Sequence, residues 1–359
     1  MSAAENERTG DTQPHPSEPS ASEANASVAL RDAPPAGRDE SAVLDLHTLA
    51  APAIKKRMLI IVNPYATTVS DRLRNLVIYA LQGRYDVDAV DTEAQGHATE
   101  LCREAAHEGY DVVVAFGGDG TVNEAANGLV GSSTPLTCLP GGSANVFGKI
   151  LGIPGELVDA TEHLLRMADH WRPRRVDLGS VNGRYFAFSS GLGIDASVVE
   201  RVDQRPRLKA RFGPWWFTYA AVTIFSRRYL LAPPRLEVTV DEQRLDGVTA
   251  IVQNASPFTY FGDRPIVVAE GATLSSGTLA GCVLGRASAL DMPFITWRAL
   301  SRRARLARHR RVSAFSDAGE LTVRSTDERP LPLQVDGDFV GEVYEARYST
   351  RPQALSVVS

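Results

Sequence analysis

The feature that most restricts the fold is an alternation, from Met58 onward, of short apolar runs with longer amphipathic segments. In chain order they read MLIIVN, SDRLRNLVIYALQ, YDVDAV, HATELCREAAHEG, DVVVAFGG, TVNEAANGLV and PLTCLPGG. This alternation predicts parallel strands connected by crossover helices. Continuous runs such as residues 111–116 are typical of strands covered on both faces, and Ser70 suits the cap of the first helix. We therefore expect an open α/β sheet.

Beyond about Arg174 the pattern changes to short alternating strands separated by Gly, Pro and Asp turns. The strand candidates read RYFAFSS, PRLEVTVD, VTAIVQN, TLAGCVLG, GELTVRS and PLPLQVDG. Such a series predicts a β-sandwich or another β-rich domain, here with helical insertions around residues 212–228 and 292–311. The expected domains are an α/β domain at 55–174 and a β-rich domain at 175–359, whose last residues pack back on the first.

The N-terminal segment differs in composition from the rest of the chain. Its first 50 residues carry 9 acidic and 3 basic side chains without a sustained apolar period, so we expect residues 1–54 to form a disordered tail. Cys102, Cys138 and Cys282 lie far apart and form no CxxC pair, which favours a reduced protein without a zinc site. No run reaches the roughly 18 to 20 apolar residues of a membrane span. A cytoplasmic protein with only peripheral membrane contact is expected.

Three loops follow apolar strands in the first half of the chain. In open α/β sheets, ligands gather at the carboxyl ends of the strands. The first loop consists of Asn63, Pro64, Tyr65, Ala66 and Thr67. It offers side-chain donors and acceptors, but by itself it is weak evidence, because Asn-Pro forms turns in many proteins.

The second loop consists of Gly117, Gly118, Asp119, Gly120 and Thr121, and a helix is expected to begin near Val122. Backbone N–H groups and a helix N-terminus converge in such a loop, which favours phosphate binding. Glycine lets the main chain approach the phosphates, and Asp119 suits a magnesium ion because it would repel a bare phosphate. An ordinary Gly/Asp turn is the alternative.

The third loop consists of residues 139–145, LPGGSAN, and precedes the helical segment VFGKIL. It predicts a second glycine-rich cradle, or else an ordinary loop in which Ser143 caps the helix. Residues 142–149 do not form a Walker A loop, because the spacing is wrong and no Ser or Thr follows Lys149. Residues 191–196, GLGIDA, imitate a dinucleotide-binding turn, but the expected acidic residue downstream is missing.

GGDGTVNE at residues 117–124, LPGGSANVFGKILGIP at 139–154 and SSGLGIDA at 189–196 together resemble the diacylglycerol kinase catalytic family, which includes bacterial soluble diacylglycerol kinases and sphingosine kinases. The resemblance extends from about Lys55 to the C-terminus. It implies an α/β ATP-binding kinase domain, a C-terminal β-sandwich domain for the lipid substrate, and ATP between them. The implied activity is ATP- and Mg²⁺-dependent phosphorylation of a lipid hydroxyl, with diacylglycerol as the leading acceptor.

The resemblance also implies roles for individual residues. The ATP-contacting positions would be Asn63, Pro64, Tyr65, Ala66, Thr67, Thr92, Gly117, Gly118, Asp119, Gly120, Thr121, Val122, Asn123, Gly142, Ser143 and Asn145. Asp119 would also serve the magnesium ion and the phosphates during catalysis. The family's Asp-Gly-Glu turn carries the catalytic base, and here it reads Asp336, Gly337, Asp338. Asp338 is therefore the expected base, with a reach one methylene shorter; a surface turn is the alternative.

Two other positions depart from the family pattern. The family often has Asp after the Asn of the third loop, where this chain has Val146. Bacterial members hold a structural magnesium near a DDG turn, and the corresponding residues 274–277 here read LSSG. We therefore expect no metal ligand at Val146 and no second metal at residues 274–277.

A basic segment, Arg298 to Arg311, contains seven arginines beside several apolar residues. It predicts a surface that binds anionic lipid headgroups at the inner face of a membrane. A solvated helix face or a nucleic-acid contact is the alternative, although no nucleic-acid partner is expected. The aromatic residues at 215–219, flanked by the arginine-rich residues 205–211, suit an acyl-chain entrance or the core. The sequence is compatible with a homodimer as well as with a monomer.

Three other functions compete with diacylglycerol phosphorylation. The acceptor could be a sphingoid base or another lipid alcohol, because acyl pockets consist of scattered apolar residues. An NAD kinase shares the GGDGT loop, but its NxGxxGFL-like segment is absent here and PGGSAN matches the lipid kinases. A non-enzymatic lipid- or nucleotide-binding relative draws support from Val146 and Asp338.

Overall fold

The computed structural model describes residues 55–66, 70–203, 219, 223, 224, 229, 232–262, 264–301 and 304–359. The predicted tail, residues 1–54, lies outside the described residues, as do Thr67 and most of the predicted insertion at 212–228. Two arginines of the basic segment, Arg302 and Arg303, also lie outside them.

The N-terminal half is an α/β domain in which parallel strands alternate with helices. Its elements are β1 (Lys56–Val62), α1 (Asp71–Gln82), β2 (Tyr85–Asp91), α2 (His97–Glu108), β3 (Val112–Gly117), α3 (Asp119–Leu129), β4 (Leu136–Pro140), α4 (Val146–Leu151) and α5 (Leu157–Met167). The four strands are parallel in the order β2-β1-β3-β4. The predicted α/β sheet is confirmed, and α5 is an addition to it.

Local sequence explains where these elements begin. Ser70 caps α1, because its hydroxyl accepts a hydrogen bond from the backbone N–H of Leu73 at 3.4 Å. All six residues of β3 are buried, as the continuous apolar run predicts. Helix α3 begins at Asp119 and not near Val122, because Gly118 is extended and the helix starts inside the glycine-rich loop. Asp119 therefore lies in the first helical turn.

The C-terminal half is an all-β domain with antiparallel sheets and two described helices. Its elements are β5 (Arg174–Val181), β6 (Arg184–Phe186), β7 (Ser189–Leu192), α6 (Ile194–Asp203), β8 (Leu236–Val240), β9 (Gln243–Gly247), β10 (Thr249–Gln253), β11 (Thr259–Phe261), β12 (Arg264–Ile266), β13 (Leu279–Leu284), α7 (Met292–Leu300), β14 (Val312–Ala318), β15 (Glu320–Ser325), β16 (Leu331–Val335), β17 (Asp338–Val343) and β18 (Glu345–Val357). One sheet has the order β14-β13-β10-β7-β16-β17.

Two expectations for this half need correction. RYFAFSS forms two strands, β6 and β7, because the backbone N–H groups of Ala187 and Phe188 bond to the Asp336 carboxylate and so leave the ladder. The predicted helical insertion at 292–311 is helical only in part. It contains α7, an extended Ser301 and a single 3-10 turn at Leu306–Arg308.

The C-terminal strand connects the two halves of the molecule. Strand β18 pairs antiparallel with β15 and β5, and its end lies parallel to β4 with Val357 opposite Leu136. The result is one sheet of ten strands. Leu355 and Val357 are fully buried in the core of the α/β half. This continuous sheet holds the loops of one half at a fixed position relative to the turns of the other.

None of the helices among the described residues is both long enough and apolar enough to cross a membrane.

Candidate active site

The loops after β1, β3 and β4 open into one cleft of about 1170 Å³, and its other wall comes from β7, α6 and the β16–β17 turn. Most of the predicted site residues line this cleft. They are Asn63, Tyr65, Ala66, Thr92, Gly118, Asp119, Gly120, Thr121, Gly142, Ser143 and Asp338. The structure thus brings the three loops and the Asp338 carboxylate together around one space.

The other predicted residues that the structure describes do not line this cleft. Gly117, Val122 and Asn145 line a smaller neighbouring pocket. Pro64 is exposed beside the first loop, and Thr67 lies outside the described residues. Asn123 is 1% exposed, and its side chain points to Asp336. The described members of this set belong to the loops around the cleft and do not form its surface.

Glycine is required at two points where segments approach closely. A β-carbon on Gly142 would lie 2.8 Å from the Cα atom of Gly118, so the second and third loops touch backbone to backbone. A β-carbon on Gly120 would overlap the carboxylate of Asp338. The predicted base therefore lies directly over the first turn of α3, and any larger residue at position 120 would displace it.

Asp119 connects the second loop to the third. Its carboxylate accepts a hydrogen bond from the backbone N–H of Phe147 at 3.1 Å and another from Val146. Burial raises the pKa of Asp119 to about 6, although these two N–H groups lower it. The carboxylate occupies the N-terminus of α4 and supplies the cap that this helix otherwise lacks.

The cap of α4 differs from the alternative drawn from the sequence. The N-cap position is Asn145, not Ser143, and Asn145 is left-handed with φ 47°. Its side chain bonds twice to Gly142: the Gly142 N–H donates to Asn145 Oδ1 at 2.9 Å, and Asn145 Nδ2 donates to the Gly142 carbonyl at 2.8 Å. Ser143 is exposed in the cleft. It is therefore placed to meet a ligand.

The charge of the cleft bears on the predicted magnesium. Across the described residues, no group of three or more His, Cys, Asp and Glu side chains is arranged to hold a metal ion. The described lining residues include Glu93, Asp119, Glu124, Asp195 and Asp338 but no Lys or Arg. A triphosphate would meet the carboxylates of this lining. A magnesium ion shared between Asp119 and the phosphates fits this wall, because Mg²⁺ commonly uses one or two carboxylates together with phosphate oxygens.

Asp336 fixes the turn that carries Asp338. It is 2% exposed, and its carboxylate accepts hydrogen bonds from the backbone N–H groups of Ala187 at 2.6 Å, Phe188 at 3.0 Å and Ser189 at 3.0 Å. It also accepts one from Asn123 Nδ2 at 2.8 Å, which ties the turn to α3. Burial raises the pKa of Asp336, and these donors oppose the rise. Sequence reasoning placed Asn123 on ATP and gave Asp336 no role of its own.

Sequence reasoning named Asp338 in the second wall of the cleft but missed the apolar part of that wall. Its apolar lining residues are Phe188, Val198, Val199, Phe258 and Phe339. They come from separate elements, so no local pattern marks them. The only local signal in this part of the sequence was the GLGIDA segment at residues 191–196. It resembled a dinucleotide-binding turn, and in the structure it leads into α6, which carries Val198 and Val199.

Asp195 of this segment is another acidic residue of the second wall. Its carboxylate accepts a hydrogen bond from Gln334 Nε2 at 2.6 Å. Burial raises the pKa of Asp195 to about 6, and this hydrogen bond lowers it. Its pKa therefore lies well above that of an ordinary aspartate.

Comparison with known proteins gives one consistent result. Residues 57–181 match the family model described as "Diacylglycerol kinase catalytic domain". A "Diacylglycerol kinase" of Staphylococcus haemolyticus is 26% identical over 274 residues, covering 76% of this chain and 78% of that protein. One of Staphylococcus aureus is 25% identical over 295 residues, covering 81% and 88%. A crystal structure of a diacylglycerol kinase from Bacillus anthracis has a TM-score of 0.62 at 21% identity, covering 84% of this chain and 96% of that one, and so shares the fold.

Proposed function

Since residues 57–181 belong to the diacylglycerol kinase catalytic domain family, we propose that this phosphotransferase phosphorylates the hydroxyl group of diacylglycerol. Membership in a kinase family implies ATP as the phosphoryl donor, and the product would be phosphatidic acid. The similar staphylococcal proteins are named for this activity. The choice of diacylglycerol as acceptor and the roles of the individual residues are our proposal.

One observation carries the proposal: the Asp338 carboxylate lies against Gly120 in the cleft that the glycine-rich loops open into. A phosphoryl group held by the loops would lie near this carboxylate. Phosphoryl transfer depends mainly on positioning and on charge stabilisation, and it needs a group that orients the acceptor hydroxyl. In the proposed mechanism the glycine-rich loops position the phosphates, and Asp338 orients the hydroxyl.

The nucleotide side of the cleft can bind phosphates without a basic side chain. The backbone N–H groups at the start of α3 point out of a helix N-terminus, which favours negative charge. Ser143 adds a hydroxyl from the third loop. A bound magnesium ion would supply the positive charge that offsets the phosphates. Asp119 would hold it from one side, and the backbone of residues 146 and 147 keeps the Asp119 carboxylate in place.

On the other side, Asp338 would accept the proton of the acceptor hydroxyl while that oxygen attacks the γ-phosphorus. The bond from the γ-phosphorus to ADP breaks, and the proton stays on the carboxylate until product leaves. Asp336 does not touch the substrate in this scheme. It holds the turn through its four hydrogen bonds, so that Asp338 is in position before the acceptor arrives.

The apolar lining of the second wall supports a lipid acceptor. Val198, Phe258 and Phe339 are partly exposed in the cleft and would stay in contact with water in a kinase for a soluble, highly polar dinucleotide. Acyl chains would instead cover them, and burying apolar surface stabilises the complex by about 25 cal/mol per Å². A glycerol hydroxyl would then lie at the boundary between the apolar wall and Asp338.

The experiment is a transfer assay with purified protein, γ-labelled ATP and separate micellar acceptors. The panel contains diacylglycerol, a sphingoid base, phosphatidylglycerol, an undecaprenol-type alcohol and NAD. We expect label in diacylglycerol and little in the others. Equal or greater labelling of another lipid would reassign the acceptor, labelling of NAD would overturn the lipid assignment, and no labelling at all would leave a binding protein.

A further inference from the structure

Exposed apolar side chains and arginines occur together among the described residues between 290 and 311. We define the α7 patch as Leu290, Phe294, Trp297 and Leu300 together with Arg298, Arg305, Arg308, Arg310 and Arg311. The four apolar side chains are 91%, 48%, 56% and 36% exposed, respectively. Single exposed apolar residues are ordinary, but a cluster of this kind beside arginines marks an interaction site.

Two of the apolar side chains share one face of α7. Phe294 and Trp297 are spaced i and i+3, which places them on one side of the helix, and Leu290 lies in the turn just before it. Ile295 lies on the opposite side and is buried in the core of the β-rich half. Helix α7 is therefore anchored by one face and leaves the other without a described partner. The exposed face therefore belongs to a helix that is packed on the domain.

Contacts within the patch hold the exposed side chains in place. The Phe294 and Trp297 rings are stacked with centroids 5.5 Å apart. The Arg298 guanidinium lies 5.0 Å from the Phe294 ring, and its Nη1 donates to the carbonyl of Arg305 at 2.9 Å. This order lowers the entropy that would be lost when a partner binds.

The patch has an excess of positive charge. Its arginines form ion pairs with two carboxylates: Arg310 lies 3.2 Å from Asp291, and Arg305 lies 3.1 Å from Glu270. Arg311 shares Asp291 at 3.7 Å. Five arginines against two carboxylates leave net positive charge next to exposed aromatic rings.

We propose that the α7 patch docks the protein onto a bilayer of anionic lipid, with Leu290, Phe294 and Trp297 in the headgroup–acyl boundary and the arginines on lipid phosphates. This combination of apolar and cationic side chains is what binds an interfacial helix to a membrane. A nucleic-acid backbone would engage the arginines alone and leave the apolar side chains in water.

The position of the patch relative to the cleft supports the same partner. Helix α7 contacts β12, and β12 pairs with β11 in a hairpin. Phe258 and Thr259, at the start of this hairpin, line the cleft. Docking through α7 would therefore bring the hairpin, and with it the apolar wall of the cleft, to the membrane surface. This step rests on the proposed lipid kinase activity, whereas binding to vesicles can be measured without it.

The test is co-sedimentation of the full-length protein with vesicles of phosphatidylcholine alone or of phosphatidylcholine with phosphatidylglycerol. The protein should bind the anionic vesicles more tightly, and salt should weaken this binding. Arg305→Gln with Arg308→Gln should lower the partition coefficient about 10- to 30-fold, since each arginine near an anionic surface contributes roughly fivefold. The matched control, Arg72→Gln with Arg103→Gln, removes the same charge from exposed positions on α1 and α2 and should have little effect.

The apolar contribution is tested by Trp297→Ala, with Tyr79→Ala as the control at an exposed aromatic residue of α1. We expect an approximately tenfold loss of vesicle binding in the first variant alone. If both variants bind as the wild type does, the proposal is wrong. If Trp297→Ala changes the oligomeric state in size-exclusion chromatography and leaves vesicle binding intact, the patch is an interface between two copies. Preferential binding of RNA that is lost in the arginine variant would also overturn the proposal.

A kinase readout separates the docking proposal from the proposed activity. The patch variants should lose activity towards long-chain diacylglycerol in anionic vesicles and keep wild-type activity towards short-chain diacylglycerol dispersed in water. Equal activity of wild type and variants on vesicles would sink the docking proposal and leave the kinase activity standing. A wild type inactive on both substrates would remove the activity, and the sedimentation result would still decide the docking.

Discussion

The two walls of the cleft are built in different ways. In the wall made by the glycine-rich loops, the backbone forms the contacts, as between Gly118 and Gly142, and each loop is a contiguous stretch of sequence. In the opposite wall, side chains form the surface, and Phe188, Phe258 and Asp338 come from distant elements. The first wall can hold a group common to all nucleotides. In the proposed function the second wall determines the acceptor, because its side chains can be altered one at a time.

The largest effect that would test this comparison is expected where the two walls touch. A methyl group in Gly120→Ala would displace the Asp338 carboxylate, and misplacing a catalytic group by about 1 Å can cost about 100-fold in rate. We expect kcat/KM to fall about 100-fold or more with ATP affinity nearly unchanged. Gly319→Ala is the control, since nothing lies within 4 Å of a β-carbon there. Wild-type kinetics in Gly120→Ala would mean that Asp338 need not lie where the structure places it.

The next effect concerns the hydrogen bonds that join the walls. Asp336→Asn keeps the shape but turns one acceptor oxygen into a donor that faces backbone N–H groups. Leaving such buried groups unsatisfied should lower the free energy of unfolding by about 2–3 kcal/mol, measured by urea denaturation. Asp241→Asn changes an exposed aspartate in a left-handed turn and should cost far less. Equal stability of the two variants would show that Asp336 does not hold the turn.

A smaller effect separates the walls kinetically. Val198 is partly exposed in the cleft on α6. Val198→Phe should occupy space proposed for the acyl chains and raise the KM for diacylglycerol about tenfold, with the KM for ATP unchanged. Val158→Phe, at a residue of α5 that is 74% exposed, is the matched control. An equal rise of both KM values would mean that the two walls do not act separately.

The smallest effect is a pH-dependent change in the free energy of unfolding that comes from Asp195 in the second wall. Burial raises the pKa of Asp195 to about 6, so the folded state holds a proton that the unfolded state has already lost between about pH 4 and 6. The wild type therefore loses stability from this group as pH rises through that window. Asp195→Asn should be more stable than the wild type at pH 8 and equal to it near pH 4. A constant difference at both pH values would contradict this cause.

The sequence predicts the fold and the first wall well because their signals are local. Apolar runs of β-strand length, helical periodicity and Ser70 mark the α/β elements. The glycine-rich loops are also contiguous, so Gly118, Asp119 and Gly142 could be named before their positions were known. The expected helix start near Val122 was off by one turn, since an extended glycine caps α3 without a side-chain signal.

The sequence predicts the second wall poorly because tertiary structure assembles it. Asn123 belongs to a loop motif, but burial and the partner Asp336 decide where its side chain points. The carboxylate of Asp119 caps a helix that begins well beyond it in the chain, which no spacing rule anticipates. The apolar residues at the acceptor end come from separate strands and helices, so only the folded chain shows that they share a surface.

The most direct test of the central claim compares wild type with Asp338→Asn in two measurements: ATP affinity, and the rate of label transfer from ATP to dispersed diacylglycerol. The account predicts unchanged ATP binding and a transfer rate lower by a factor of about 100 to 10,000, the usual contribution of a general base. A folded Asp338→Asn protein that transfers label at the wild-type rate would contradict it.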